Sequence, residues 1–164
     1  MRASYRRGFL LTIVVVTGCA MVQGRLFEKI PVPEGKSIVY AYRPSNIRIF
    51  GAAVQEPALT CGEESFIPGR GGYHVFIVDP GTTVCYVNYM LCSGGFDMSG
   101  VVQPGGCRTV ISKVDVPLTA GQESYVRYSF GLWGSSAPYI ELIKTEEGRR
   151  EIRACKLQQT YKID

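Results

Sequence analysis

Histidine is nearly absent from this chain. His74 is the only one in 164 residues, so no second imidazole can complete a zinc site or relay a proton. Six cysteines are present but no Cys-x-x-Cys, and neither a metal nor an organic cofactor is expected. Gly-x-Ser-x-Gly is missing, and with it the strained elbow that exposes a serine nucleophile. Pro68-Gly69-Arg70-Gly71-Gly72 is rich in glycine but lacks the Lys-Ser/Thr of a phosphate loop and leads into a strand, so it predicts a turn. His74 falls mid-strand beside Phe76 and Val78, the setting of a packed or rim histidine. No catalytic residue emerges, and an enzyme is not expected. Charge is also scarce, at 20% of residues against 46% hydrophobic, which excludes a disordered chain. No apolar run spans a bilayer: Phe9–Val16 rises only about 12 Å as a helix, against a hydrocarbon core of roughly 30 Å.

What that short run does fit is export. Arg2, Arg6 and Arg7 precede it as a positive n-region, and Val16-Thr17-Gly18-Cys19 follows it. The four residues resemble the bacterial lipobox, in which a branched residue and two small ones precede a cysteine that receives diacylglycerol. The resemblance implies cleavage after Gly18, with residues 1–18 as signal peptide and Cys19 as the lipidated first residue. No Ala-x-Ala-type site competes nearby. One acyl chain such as palmitate anchors only marginally, whereas two or more hold firmly, so the membrane is an expected partner through the N-terminal lipid. Ala20 is not the aspartate associated with inner-membrane retention, which favours the periplasmic face of the outer membrane in a two-membrane host. The net charge of +4 includes three signal arginines, and without them 15 basic residues face 14 acidic ones. A near-neutral domain offers nucleic acid no electrostatic footing.

Residues 19–35 are expected to form the lipidated N-terminus and a tether ending at Pro31-Val32-Pro33-Glu34-Gly35, where prolines stop regular structure. The remainder, 36–164, shows strand periodicity. Ser37–Arg43 alternates Ile38, Tyr40 and Tyr42 with Val39, Ala41 and Arg43. Further strands are predicted at Ile47–Val54, Ala58–Cys61, Gly72–Val78, Thr83–Leu91, Val110–Leu118, Ser124–Gly131 and Tyr139–Ile143, with 93–108 a glycine-rich loop. Glu146–Leu157 is the one helical candidate, with Thr145 as its cap and Glu146-Glu147 suiting its positive end. The expected fold is all-β: one antiparallel β-sandwich-like domain with a short C-terminal helix.

Two sets of side chains stand out. Trp133, the only tryptophan, lies in an inter-strand loop close to Tyr139, and exposed aromatics mark binding surfaces as well as folding back over sandwich ends. The cysteines besides Cys19 are Cys61, Cys85, Cys92, Cys107 and Cys155, an odd number in a compartment that favours disulfides. Cys92 and Cys107 are expected to pair, because they close a glycine-rich segment between neighbouring strands and a loop near that length gains about 3 kcal/mol. Cys85–Cys92 is excluded within one continuous strand, where seven residues separate them by roughly 23 Å. Pairing of Cys107 with Cys61 or Cys155 stays open.

In order, Pro33-Glu34-Gly35-Lys36, Val39-Tyr40-Ala41-Tyr42-Arg43-Pro44, Gly71-Gly72-Tyr73, Pro80-Gly81, Tyr125-Val126-Arg127 and Glu146-Glu147-Gly148-Arg149 resemble the bacterial lipoprotein family named domain of unknown function 2846. The resemblance spans residues 33–157. It implies an all-β domain on a lipidated tether, with no catalytic residues to carry over. The cysteine content and the glycine-rich stretch at 93–106 depart from the family's pattern. The expected role is a non-catalytic envelope lipoprotein that contacts a protein or cell-wall partner. The alternative is a small-ligand or glycan binder that uses Trp133 and Tyr139.

Overall fold

The structure, a computed structural model, describes residues 24–45, 57–92, 95–96, 102–103, 105–130 and 138–158. Its described elements are β1 (Ser37–Tyr42), β2 (Leu59–Cys61), β3 (Glu64–Phe66), β4 (Gly72–Val78), β5 (Gly81–Cys92), β6 (Gly95–Phe96), β7 (Val102–Gln103), β8 (Cys107–Leu118), β9 (Glu123–Phe130), β10 (Pro138–Ile143), α1 (Thr145–Ile152) and β11 (Lys156–Leu157). The strands form a five-stranded sheet ordered β10-β9-β1-β4-β11, a four-stranded sheet ordered β3-β2-β5-β8, and the small ladder β6-β7. The fold is therefore mostly β and sandwich-like, with one short C-terminal helix.

Alternation along β1 explains the layering. Val39 and Ala41 face the four-stranded sheet and join Leu59, Val87, Val116, Val126 and Phe76 in one core. Ile38, Tyr40 and Tyr42 face the other way, into a second core with Tyr73, Tyr125 and Ile152. Both faces of β1 are covered, so all six of its residues are buried. The Ile140 amide donates to Ser112 Oγ at 3.1 Å and ties β10 to β8, while Phe66 meets Phe76 edge-on at the other side. Gly121, at φ 79°, supplies the left-handed third position of the Thr119–Gln122 turn that carries the chain from one sheet to the other.

Four expectations need correction. The five-stranded sheet is mixed rather than antiparallel, since β1 runs parallel to β9 and β4 parallel to β11. Crossing from β8 delivers β9 to the end where β1 starts, which forces the parallel match. The helix stops at Ile152: Thr145 is its first residue, Lys144 holds the cap position without a side-chain bond, and residues 156–157 instead pair with the open edge of β4. Its apolar stripe is too narrow to outweigh those ladder bonds. Residues 95–96 and 102–103 pair as strands inside the expected loop, and β8 already begins at Cys107. The segment expected as a tether is docked from Gly24 onward: Leu26 bridges to Lys156, and Phe27 packs edge-on against Tyr40 and Tyr73. The signal peptide, Cys19, the predicted Ile47–Val54 strand and Trp133 lie outside the described residues.

Candidate functional site: a charged cleft under the helix

Tyr42, Arg127 and Glu141 stand in one row across β1, β9 and β10. Gly148 lets α1 come down onto Tyr125, because a Cβ there would collide with the tyrosine's Cβ and ring. This close approach lays Glu147 and Glu151, four residues apart on one helix face, over Arg127.

Arg127 is the hub. Its Nε donates to Glu141 Oε1 at 2.9 Å, and its Nη1 donates to Glu151 Oε1 at 2.8 Å and Oε2 at 3.0 Å, with Glu147 Oε1 at 3.4 Å. Tyr42 Oη donates to Glu151 Oε2 at 2.7 Å. Burial opposes the guanidinium charge, but the carboxylates outweigh it and hold its pKa above the ordinary value. Burial, with Glu151 second, raises the Tyr42 phenol, so it remains a donor throughout the physiological range. Charge-assisted bonds of this kind are roughly twice as strong as neutral ones.

Beside the hub is a cleft of about 350 Å³ walled by Pro44, Ser45, Arg127, Ser129, Arg150 and Glu151. Tyr139 is the direct cross-strand partner of Ser129 and is 40% exposed, which places this expected binding residue next to the cleft. The cleft offers hydroxyls, a guanidinium with a free approach at Arg150, and a neighbouring aromatic ring. It can hold a polar ligand by hydrogen bonds.

A second ionic centre locks the N-terminal segment. Glu123 forms an ion pair through Oε2 with Lys29 Nζ at 3.0 Å and accepts at Oε1 from Arg149 Nε at 2.7 Å, so it joins residues 24–32 to β9 and α1. Burial pushes its carboxyl up, but Lys29 and Arg149 more than offset this and hold it below the usual range. Its folded-state pKa is depressed, so its contribution is present above the unfolded value and is lost as pH falls through the lowered one.

His74 is buried against Phe66 and Phe76, and burial lowers its pKa; Glu64 Oε2 lies 3.8 Å from Nε2, beyond hydrogen-bonding reach. Sequence patterning missed Arg43, which is buried between the sheets. Its guanidinium lies 4.9 Å from the Phe130 ring, and Nη1 donates to the Pro68 carbonyl at 3.1 Å. The available signal was its place in the inward-facing register with Val39 and Ala41.

Among the cysteines, Cys61 and Cys85 form a core disulfide with Cα atoms 4.2 Å apart. Cys155 is a buried free thiol, pushed up to about 12 by burial first and Glu151 second. Cys107 is disulfide-bonded, and the unbroken β5–β8 register sets the Cys92 backbone directly opposite it. Ladder parity gives this pair the same class of backbone pairing as the core bridge. Gly62 donates to Val84 at 3.4 Å, so Cys61–Cys85 is a non-hydrogen-bonded pair. On its other side β5 uses alternate backbone groups, which makes Cys92↔Cys107 non-hydrogen-bonded too, the spacing that brings side chains close.

No family model matches the chain, and no curated protein matches it.

Proposed function

We propose that this chain is a bacterial envelope lipoprotein: a signal peptide over residues 1–18, a lipid on Cys19, and a non-catalytic domain that contacts a protein or cell-wall partner. Kinship with the domain of unknown function 2846 lipoproteins is part of the proposal and rests on the ordered fragments alone. The observation that carries it is Val16-Thr17-Gly18-Cys19, placed after a basic and an apolar segment and upstream of a domain with a core disulfide. Disulfides persist in oxidising compartments, in agreement with export. The outer membrane, facing the periplasm, is the proposed location. The antiparallel character of the proposed sandwich is kept for the four-stranded sheet, all of whose pairings are antiparallel. A non-catalytic role agrees with the saturation of the strongest charge cluster by its own members at Arg127. Metabolic acyl labelling tests the reading: wild type takes up label, and Cys19→Ala loses it and stays uncleaved. Label that persists in the variant contradicts the proposal.

Cys92 and Cys107 are proposed as the second disulfide. Non-reducing peptide mapping is expected to recover them in one linked peptide. Recovery of Cys107 joined to any other cysteine rules the pair out.

A second reading is favoured by one observation, the position of Tyr139 beside the cleft. Here Tyr139, with Trp133 from the segment between β9 and β10, holds a small ligand or glycan against Ser129 and Arg150. Calorimetry with soluble peptidoglycan fragments tests it. Tyr139→Ala and Trp133→Ala should each weaken binding about 5- to 30-fold if stacking supplies on the order of 1–2 kcal/mol. Unchanged affinity moves the contact elsewhere.

A further inference from the structure

We propose that the outer edge of the five-stranded sheet, made of β11 and residues 24–27, lies on an anionic phospholipid surface and fixes the orientation of the domain on its membrane. This rests on the lipoprotein reading above. Its first support is the short length of chain between Cys19 and this edge. Leu157 donates to the Arg25 carbonyl at 2.7 Å, Phe27 donates to the Cys155 carbonyl at 3.0 Å, and Gly24 runs so close to the Leu157 carbonyl that any side chain would collide. Phe27 is then seated on Tyr40 and Tyr73, and Lys29 on Glu123. The docked chain therefore reaches back at least to Gly24, five residues after Cys19. Five residues reach at most roughly 17 Å when fully extended. A globule of about 140 residues has a radius of gyration near 14 Å and a diameter of about 37 Å. The linker is shorter than the domain is wide, so the far side cannot turn to the bilayer. The edge beside Gly24 is what the lipid holds down.

The second support is the chemistry of that edge. Leu26 is 62% exposed on the outermost segment, and Leu157 and Ile67 are exposed beside it. Gln158, which follows Leu157, joins Ile67 to the edge through an Nε2 donation to the Ile67 carbonyl at 2.6 Å. Arg25, Arg153 and Lys156 lie within three residues of the Leu26–Lys156 bridge and form no ion pair among the described residues. The nearby acids are Glu28, which is exposed, and Glu151, which is committed to Arg127. Exposed aliphatic side chains flanked by uncommitted cations are the pattern of an interfacial surface: the apolar groups enter the headgroup boundary and the cations meet phosphate. At the opposite margin Ile111 of β8 is equally bare at 60%, but Lys113 and Asp115 follow it on the same face and offset each other.

Ile111 is thus a control matched in exposure. Benzoylphenylalanine is placed at position 26, 157 or 111 of the full acylated chain, in vesicles of phosphatidylglycerol and phosphatidylethanolamine, and irradiated. Positions 26 and 157 are expected to crosslink to lipid at least ten times more than 111. Membrane-bound, acylated protein that crosslinks equally from all three, or best from 111, overturns the orientation and leaves the lipoprotein reading intact. Soluble, unacylated protein overturns both. The triple variant Arg25→Glu, Arg153→Glu, Lys156→Glu, checked for an unchanged near-ultraviolet circular dichroism spectrum, should lose most crosslinking from position 157 on phosphatidylglycerol vesicles and little on phosphatidylcholine. Undiminished crosslinking on phosphatidylglycerol overturns the electrostatic contact.

Discussion

Replacing Cys61 and Cys85 together with alanine is expected to lower stability by about 3.5 kcal/mol, from the entropy of the closed loop. The bond joins residues 24 apart in sequence, and both cysteines are buried. The enclosed chain leaves the four-stranded sheet after β3, passes through β4 in the facing sheet and returns as β5. The bridge therefore limits the freedom of this enclosed chain in the unfolded state. Ladder bonds are a poor substitute, since β2 has only three residues. Two buried sulfur atoms are also lost, which adds a small cavity term of the same sign. Thermal unfolding should show a fall of roughly 10 °C for a domain of this size. Wild type treated with reductant should fall further, because reduction also opens the bridge at Cys107. If neither the variant nor reduction moves the transition, the core bridge is not part of the folded protein.

Gly148→Ala is expected to destabilise although it improves helix propensity. Alanine in place of glycine gains about 1 kcal/mol inside a helix. Against this, the new Cβ meets Tyr125 at its own Cβ as well as its ring, atoms that cannot swing aside as a flexible chain end could. Tyr125 is held further by its stack on Tyr40, 5.3 Å between centroids. Overpacking of this kind costs about 1–3 kcal/mol in ordinary cases, and the present contact is at the severe end. The net result is a loss of about 1–2 kcal/mol, and Gly148→Val should lose about 3 kcal/mol or more. The lift of α1 also pulls Glu147 and Glu151 from Arg127. Chemical denaturation measures the outcome. A Gly148→Ala protein stabilised by about 1 kcal/mol would show that α1 is not seated on Tyr125.

Strand periodicity was legible where one physical cause dominated. Gly72–Val78 was placed to the residue, and Ser37–Arg43 to within one, because β-branched and aromatic residues alternate there between turn residues. The parallel pairing of β1 with β9 was not legible, since it depends on which sheet β8 joins and no local pattern records that. The helix ended early for a related reason: the open edge of β4 competes for residues 156–157, and that edge exists only in three dimensions. Arg43 sat in view one residue past β1, in register with Val39 and Ala41, but a cation is expected outside until aromatic faces are known to receive it. The charged hub was legible in its parts, as Arg127 and as acids on a helix. What joins them is the glycine that brings the helix close. Tyr139 was singled out for its aromatic ring, and its neighbour Ser129 and the cleft came only with the β9–β10 register.

The lipid on Cys19 underlies the proposed location, the short linker and the orientation of the domain. Intact-mass spectrometry of the protein extracted from native membranes tests it most directly. The account predicts a chain that begins at Cys19 and carries a diacylglyceryl group, with residues 1–18 gone. A chain that retains Met1, or begins at any residue other than Cys19, or begins there with no added lipid mass, would contradict it.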